Sequence, residues 1–228
     1  MSSFQQYLNS SIGKKQIVAA TGLLLIIFVV GHLFGNLFIF GGPACYNNYS
    51  AFLIRLRPTL YLVEFLLLIF FLIHMYVTAC LVWDNVQARG KQYAVYKPVG
   101  ERSLATKLMP YTGALILAFV IWHLLDFTFV NHDGPRSILP DGKPAGLYGV
   151  VYNSFMNPLH SFFYIAAMMA VGFHLAHGIQ SFFQTFGFNH PRYTPGIRKI
   201  SNFLGILIAF LYSAIPIYVL LDSVKYFH

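Results

Sequence analysis

Five apolar runs, each long enough to cross a bilayer, constrain this chain more than any other feature. They cover residues 17–40, 60–83, 108–130, 158–186 and 200–221. A span needs about 20 mostly apolar residues, because a helix rises about 1.5 Å per residue through a hydrocarbon layer of about 30 Å. Backbone polar groups inside that layer must be satisfied within the segment, so the runs are read as helices. Charged residues are only 10% of the 228, and the connections between runs are short. The expected fold is therefore all-α: one transmembrane domain over residues 1–228 with five membrane-spanning helices. The first run exceeds the apolar core of a signal peptide, about 7–15 residues, and no small-residue cleavage site follows it, so it is expected to be a retained helix.

The net charge of +8 would point to nucleic acid in a soluble protein, but in this composition it reports topology instead. Lys14, Lys15, Arg89, Lys91, Lys97, Arg102, Lys107, Arg192, Arg198 and Lys199 fall on one side of the membrane. Arg55, Arg57, Arg136, Lys143 and Lys225 fall on the other. The basic excess places the N-terminus and the connections 89–107 and 188–200 in the cytoplasm, and the C-terminus outside.

Ionisable residues inside a span are costly and mark function by default. The runs contain His32, Glu64, His74, His123, Asp126, His160, His174 and His177. Each of the first four helices carries a deep histidine, whereas the fifth carries neither histidine nor charge. Counted from the cytoplasmic end, His32 and His123 come about 24–25 Å deep, and His74 and His174 about 15–20 Å. The histidines thus sort into two levels, each drawing on alternate helices. In an up-down bundle of the first four helices, alternate helices lie on a diagonal of about 12–14 Å. That distance suits an iron held between two imidazoles, so each level has room for one haem. Gly31, Gly35, Gly172 and Gly178 would let a flat macrocycle approach the backbone, although ordinary helix packing explains each of them as well. His177 lies three residues after His174 on nearly the same face, and depth alone does not separate the two. Cys45, expected in a loop, and Cys80, late in the second helix, form no Cys-x-x-Cys-His motif, which excludes covalently attached haem.

Four segments carry a family resemblance. They are Gly31-His32-Leu33 with Asn36, Ile73-His74-Met75-Tyr76, Trp122-His123, and Phe173-His174-Leu175-Ala176-His177-Gly178, followed by the stretch 180–195. Together they resemble the single-chain di-haem cytochrome b subunits of bacterial succinate:menaquinone oxidoreductases and fumarate reductases. The resemblance implies that His32 and His123 bind a distal haem b, that His74 and His174 bind a proximal one, and that His174 rather than His177 is the ligand. It also implies a flavoprotein subunit with FAD and an iron–sulfur subunit, both docked on the cytoplasmic loops of a bacterial inner-membrane protein. This chain holds neither a nucleotide-binding glycine motif nor a cysteine cluster. It would pass electrons between the iron–sulfur subunit and menaquinone or another quinone. Relatives carry an acidic residue in the first outer loop near the position of Cys45, and its absence leaves proton exchange to another group. Glu64 is the expected carrier, with Asp126 and His160 as competitors and an interfacial pair with Arg57 as the alternative role for Glu64. Two other classes compete for the whole chain: the cytochrome b subunit of a different quinone-linked oxidoreductase, and a proton-coupled transporter. Transporters of that class commonly show repeated halves with broken helices, and no repeat of that length is evident.

Overall fold

The computed structural model describes residues 2–88 and 104–226. Its helices are α1 (Ser3–Asn9), α2 (Ser11–Asn36), α3 (Gly42–Arg55), α4 (Arg57–Ala88), α5 (Leu104–His123), α6 (Gly146–Phe155), α7 (Pro158–Thr185) and α8 (Thr194–Ser223). The five apolar runs map onto α2, α4, α5, α7 and α8, each within a segment long and apolar enough to cross a membrane. The chain is therefore built as an all-helical, multi-pass membrane protein. Local chemistry sets several boundaries. Ser10 accepts a hydrogen bond from the Gly13 amide and starts α2. Asn157 accepts from the amides of Leu159 and His160, with Pro158 in the first turn of α7.

Two helices lie where the sequence reading expected connections. Past Asn36 the chain tightens into a 3-10 stretch, Leu37–Gly41, turns at Gly42 (φ 81°) and enters α3. Cys45 thus sits in a helix, not a loop, and both cysteines are free. Gly41, Gly42 and Pro43 hide this helix from a hydropathy reading because they interrupt the apolar run. What fixes it is tertiary: Asn47 of α3 donates to the Ala145 carbonyl at 2.7 Å and accepts from the Tyr148 amide at 3.1 Å, which ties α3 to the start of α6. Ile39, Tyr46, Tyr148, Tyr152, Phe155 and Val219 form a buried core around these two helices.

Among the spanning helices, α2 and α7 pack together in the middle, with α4 against the far side of α2 and α5 against α7. Among the described residues α4 and α5 make no comparable contact, so the four-helix arrangement is open along that edge. No residue of α4 is buried, and Phe65, Leu68, Leu72 and Tyr76 are all exposed, as lipid-facing side chains should be. The most extensive helix pairing joins α7 to α8. A Cβ on Gly205 would lie 2.4 Å from the Gly172 carbonyl oxygen, so the two backbones meet at a small-residue seam. This is the packing role for Gly172, and Gly35 has a similar one against the Tyr49 ring. The fifth spanning helix also reaches α2, through a 2.8 Å hydrogen bond from the Tyr212 hydroxyl to the Val29 carbonyl. It buttresses the histidine-bearing helices although it supplies no histidine.

Candidate functional site

His32 lies near the end of α2, and His123 is the last residue of α5 before the helix widens. The two helices are not major packing partners, yet the two rings face each other with centroids 5.8 Å apart and planes at 88°. A metal held about 2 Å from a nitrogen of each ring would put the centroids roughly 6 Å apart. The pair is walled by aromatic side chains. Phe28 stacks on His32 at 5.4 Å and Tyr212 leans over it at 6.3 Å. Phe119, Phe127 and Tyr164 surround His123. Nδ1 of His123 is buried without a hydrogen-bond partner, a condition that a folded chain tolerates only rarely.

At the other level stand His74 of α4 and His174 of α7. Each is held by a threonine on a neighbouring helix. The Thr21 hydroxyl oxygen is 3.1 Å from Nδ1 of His74, and the Thr112 hydroxyl oxygen is 3.1 Å from Nδ1 of His174. In both threonines the next residue is glycine. A Cβ on Gly22 would stand 3.2 Å from Cε1 of His74, and one on Gly113 would stand 3.6 Å from Cε1 of His174. Thr78, one turn beyond His74, has a buried hydroxyl with no partner. His177 is part-buried beside His174.

The facing rings of His32 and His123 fit an iron whose other positions a macrocycle would fill. Each level also keeps a buried polar atom that lacks a protein partner.

The threonines escaped the sequence reading, although a signal was present. Thr21-Gly22 precedes His32, and Thr112-Gly113 precedes His123, by the same eleven residues. Eleven residues is close to three helical turns, so threonine and histidine share a face about 16 Å apart along the axis. This short repeat separates the two levels by that distance. Of the glycines that the sequence singled out, Gly31 and Gly178 face open space; the glycines against imidazoles are two it did not single out, Gly22 and Gly113.

Beyond His123 the helix widens into a π-helical segment, Leu124–Thr128, closed by the Phe129 amide donating to the Leu124 carbonyl at 3.0 Å. Such segments recur at functional sites. It holds Asp126, whose side chain is 11% exposed, among three partners. Arg136 Nη2 donates to Oδ1 at 2.8 Å, and the Tyr164 hydroxyl donates to Oδ2 at 2.9 Å. His160 Nε2 lies 2.9 Å from Oδ2 but off the line of an aligned hydrogen bond. Arg136 also donates to the Ser154 hydroxyl. His160 stacks on Tyr164 at 4.8 Å and meets the Trp122 ring edge at 6.2 Å. An open groove of about 400 Å³, lined by Ala118, Ile121, Trp122, Leu125 and Asp126, runs alongside.

Glu64 has a different setting. Its carboxylate accepts from Arg57 Nη1 at 3.0 Å, with the two side chains 52% and 46% exposed. Arg57 lies over the Tyr61 ring at 4.7 Å, so the three side chains form one exposed cluster. Most of the loop 89–107, expected to dock a partner, lies outside the described residues. The other connection expected to dock a partner, 188–200, runs from the turn at Gly187 into the start of α8, with Arg192 and Lys199 exposed. No family model, curated protein or solved structure matches the chain, so its functional reading rests on these residues.

Proposed function

We propose that this chain is the membrane-embedded di-haem cytochrome b subunit of a succinate:quinone oxidoreductase. In this reading it lies in a bacterial inner membrane with its N-terminus in the cytoplasm. The observation that carries the proposal is the meeting of His32 and His123 from two helices that otherwise barely touch. The second pair, His74 and His174, about 16 Å away along the helix axes, supports it. His32 and His123 would hold the distal haem, and His74 and His174 the proximal one. When bound, the two haems supply one-electron transfer between an iron–sulfur subunit and a membrane quinone. Two imidazoles on each iron would leave no open position, which would suit electron transfer over oxygen activation.

The protein's own contributions are positional. Thr21, Thr112 and the aromatic walls set the ring orientations, and α8 holds α7 and α2 in place. Quinone reduction takes up two protons, so a titratable group must lie close to the ring. Two candidates stand at the outer end: Glu64, paired with Arg57, and the Asp126–His160 pair beside the Trp122 groove. A flavoprotein and an iron–sulfur subunit would dock on the cytoplasmic loops, where the basic residues collect. The test is the pyridine haemochrome spectrum of the purified complex, expected to give two b-type haems per chain. A preparation that is folded, active in quinone binding and free of haem would refute the proposal.

A further inference from the structure

We propose that Thr21 and Thr112 are positioning residues for the inner imidazole pair, each fixing the ring orientation and tautomer of a histidine on the neighbouring helix. The proposal rests on the haem reading above. Three observations carry it. First, the contacts are matched: Thr21 of α2 meets His74 of α4, and Thr112 of α5 meets His174 of α7, both through Nδ1 and both at 3.1 Å. Second, each hydroxyl is also within reach of its own helix backbone. Thr21 lies 2.7 Å from the Ile17 carbonyl and 3.2 Å from that of Val18. Thr112 lies 3.2 Å from the Leu108 carbonyl and 3.1 Å from that of Met109. A hydroxyl has one hydrogen, and carbonyl oxygens only accept. If the hydroxyl pointed its hydrogen at the ring, its oxygen would face two carbonyl oxygens unrelieved. Donation to the helix leaves a lone pair for the ring, so Nδ1 carries the hydrogen and Nε2 is the lone-pair nitrogen of both histidines.

Third, the glycine after Thr21 leaves room for the same ring, since a Cβ there would stand 3.2 Å from Cε1 of His74, while the corresponding approach of Gly113 to His174 is an ordinary 3.6 Å. The two Thr-Gly pairs, each eleven residues before a histidine of the outer level, make the hairpins α2–α4 and α5–α7 copies of one another at these positions. The outer level lacks this device on His123, whose Nδ1 is buried and unpartnered. An imidazole that donates from its far nitrogen is a more basic ligand and is held in one orientation. An iron held there would thereby be biased towards its oxidised state, relative to the same site without the threonines.

The test replaces Thr21 and Thr112 by Val, singly and together, in the assembled complex, with Thr→Ser as the conservative variant. Haem per chain, the two optical midpoint potentials and the low-spin EPR g-values are read, and the inner signal is identified as the one lost in His74→Ala. The double Val variant is expected to raise the midpoint of the inner haem, shift its g-values and loosen its retention about tenfold. The outer signals should hold, and Ser should restore the inner ones. If the threonines only tie off their own helices, stability would change while both midpoints and both EPR signatures stayed put, and the proposal would be overturned. A shift confined to the outer signals would overturn it equally. Wild-type complex without haem would instead overturn the functional reading on which it rests.

Discussion

Replacing Glu64 by Gln separates the two proton-exchange candidates, because the structure gives them very different mechanical roles. The Glu64–Arg57 pair is 3.0 Å apart with both side chains about half exposed. An exposed pair of this kind contributes about 0–1 kcal/mol. Glu64→Gln should therefore leave fold and cofactor content intact, and any loss of turnover would be chemical. Asp126 is 11% exposed and anchors Arg136, His160 and Tyr164. Removing one member of a buried ion pair costs about 3–5 kcal/mol, and the 40% exposure of Arg136 lowers that figure to about 2–3 kcal/mol. Asp126→Asn should thus lower thermal stability measurably even before its chemistry is assayed. The assay is succinate-driven reduction of a menaquinone analogue in proteoliposomes, normalised to haem content, with thermal unfolding in parallel. If Glu64 carries the protons, Glu64→Gln should cut turnover tenfold or more at unchanged stability. Full turnover in Glu64→Gln would remove Glu64 from the mechanism. Loss in His160→Gln with haem retained would then point to the Asp126–His160 pair.

The remaining predictions concern packing and ligation. His174→Ala and His74→Ala should each lose one haem, whereas His177→Ala should keep two; a two-haem spectrum in His174→Ala would reverse the assignment. Gly22→Ala crowds His74 at 3.2 Å and should perturb the inner haem spectrum, while Gly113→Ala, at an ordinary 3.6 Å, should be spectrally silent. Gly205→Ala would put a Cβ 2.4 Å from the Gly172 carbonyl oxygen, forcing the two backbones apart, and should cost about 1–3 kcal/mol in detergent unfolding, whereas Gly31→Ala, facing open space, should be neutral or slightly stabilising. Cross-linking from the exposed Lys199 in native membranes should capture a soluble subunit; links to lipid alone would count against docking at that face.

Composition and hydropathy determined much of this protein unaided. Lipid and backbone chemistry permit few structures for five long apolar runs, so the number and approximate bounds of the spanning helices follow from Ser11–Asn36, Arg57–Ala88 and their counterparts with little help from packing. The cost of a histidine in hydrocarbon made His32, His74, His123 and His174 stand out, and the rise per residue sorted them into two levels. Tertiary structure decided what hydropathy does not encode. It folded residues 42–55 into α3 because Asn47 could reach Ala145 and Tyr148 nearly a hundred positions away. It placed α8 against α7 through Gly172 and Gly205, a seam set by backbone proximity and invisible to any apolar count. It paired Glu64 with Arg57 but gathered Asp126, Arg136, His160 and Tyr164 from a π-turn, a loop and α7 into one cluster. Thr21 and Thr112 fall between these cases. Their spacing from His32 and His123 was written in the sequence, but their partners sit on other helices, and only packing shows which ring a hydroxyl meets.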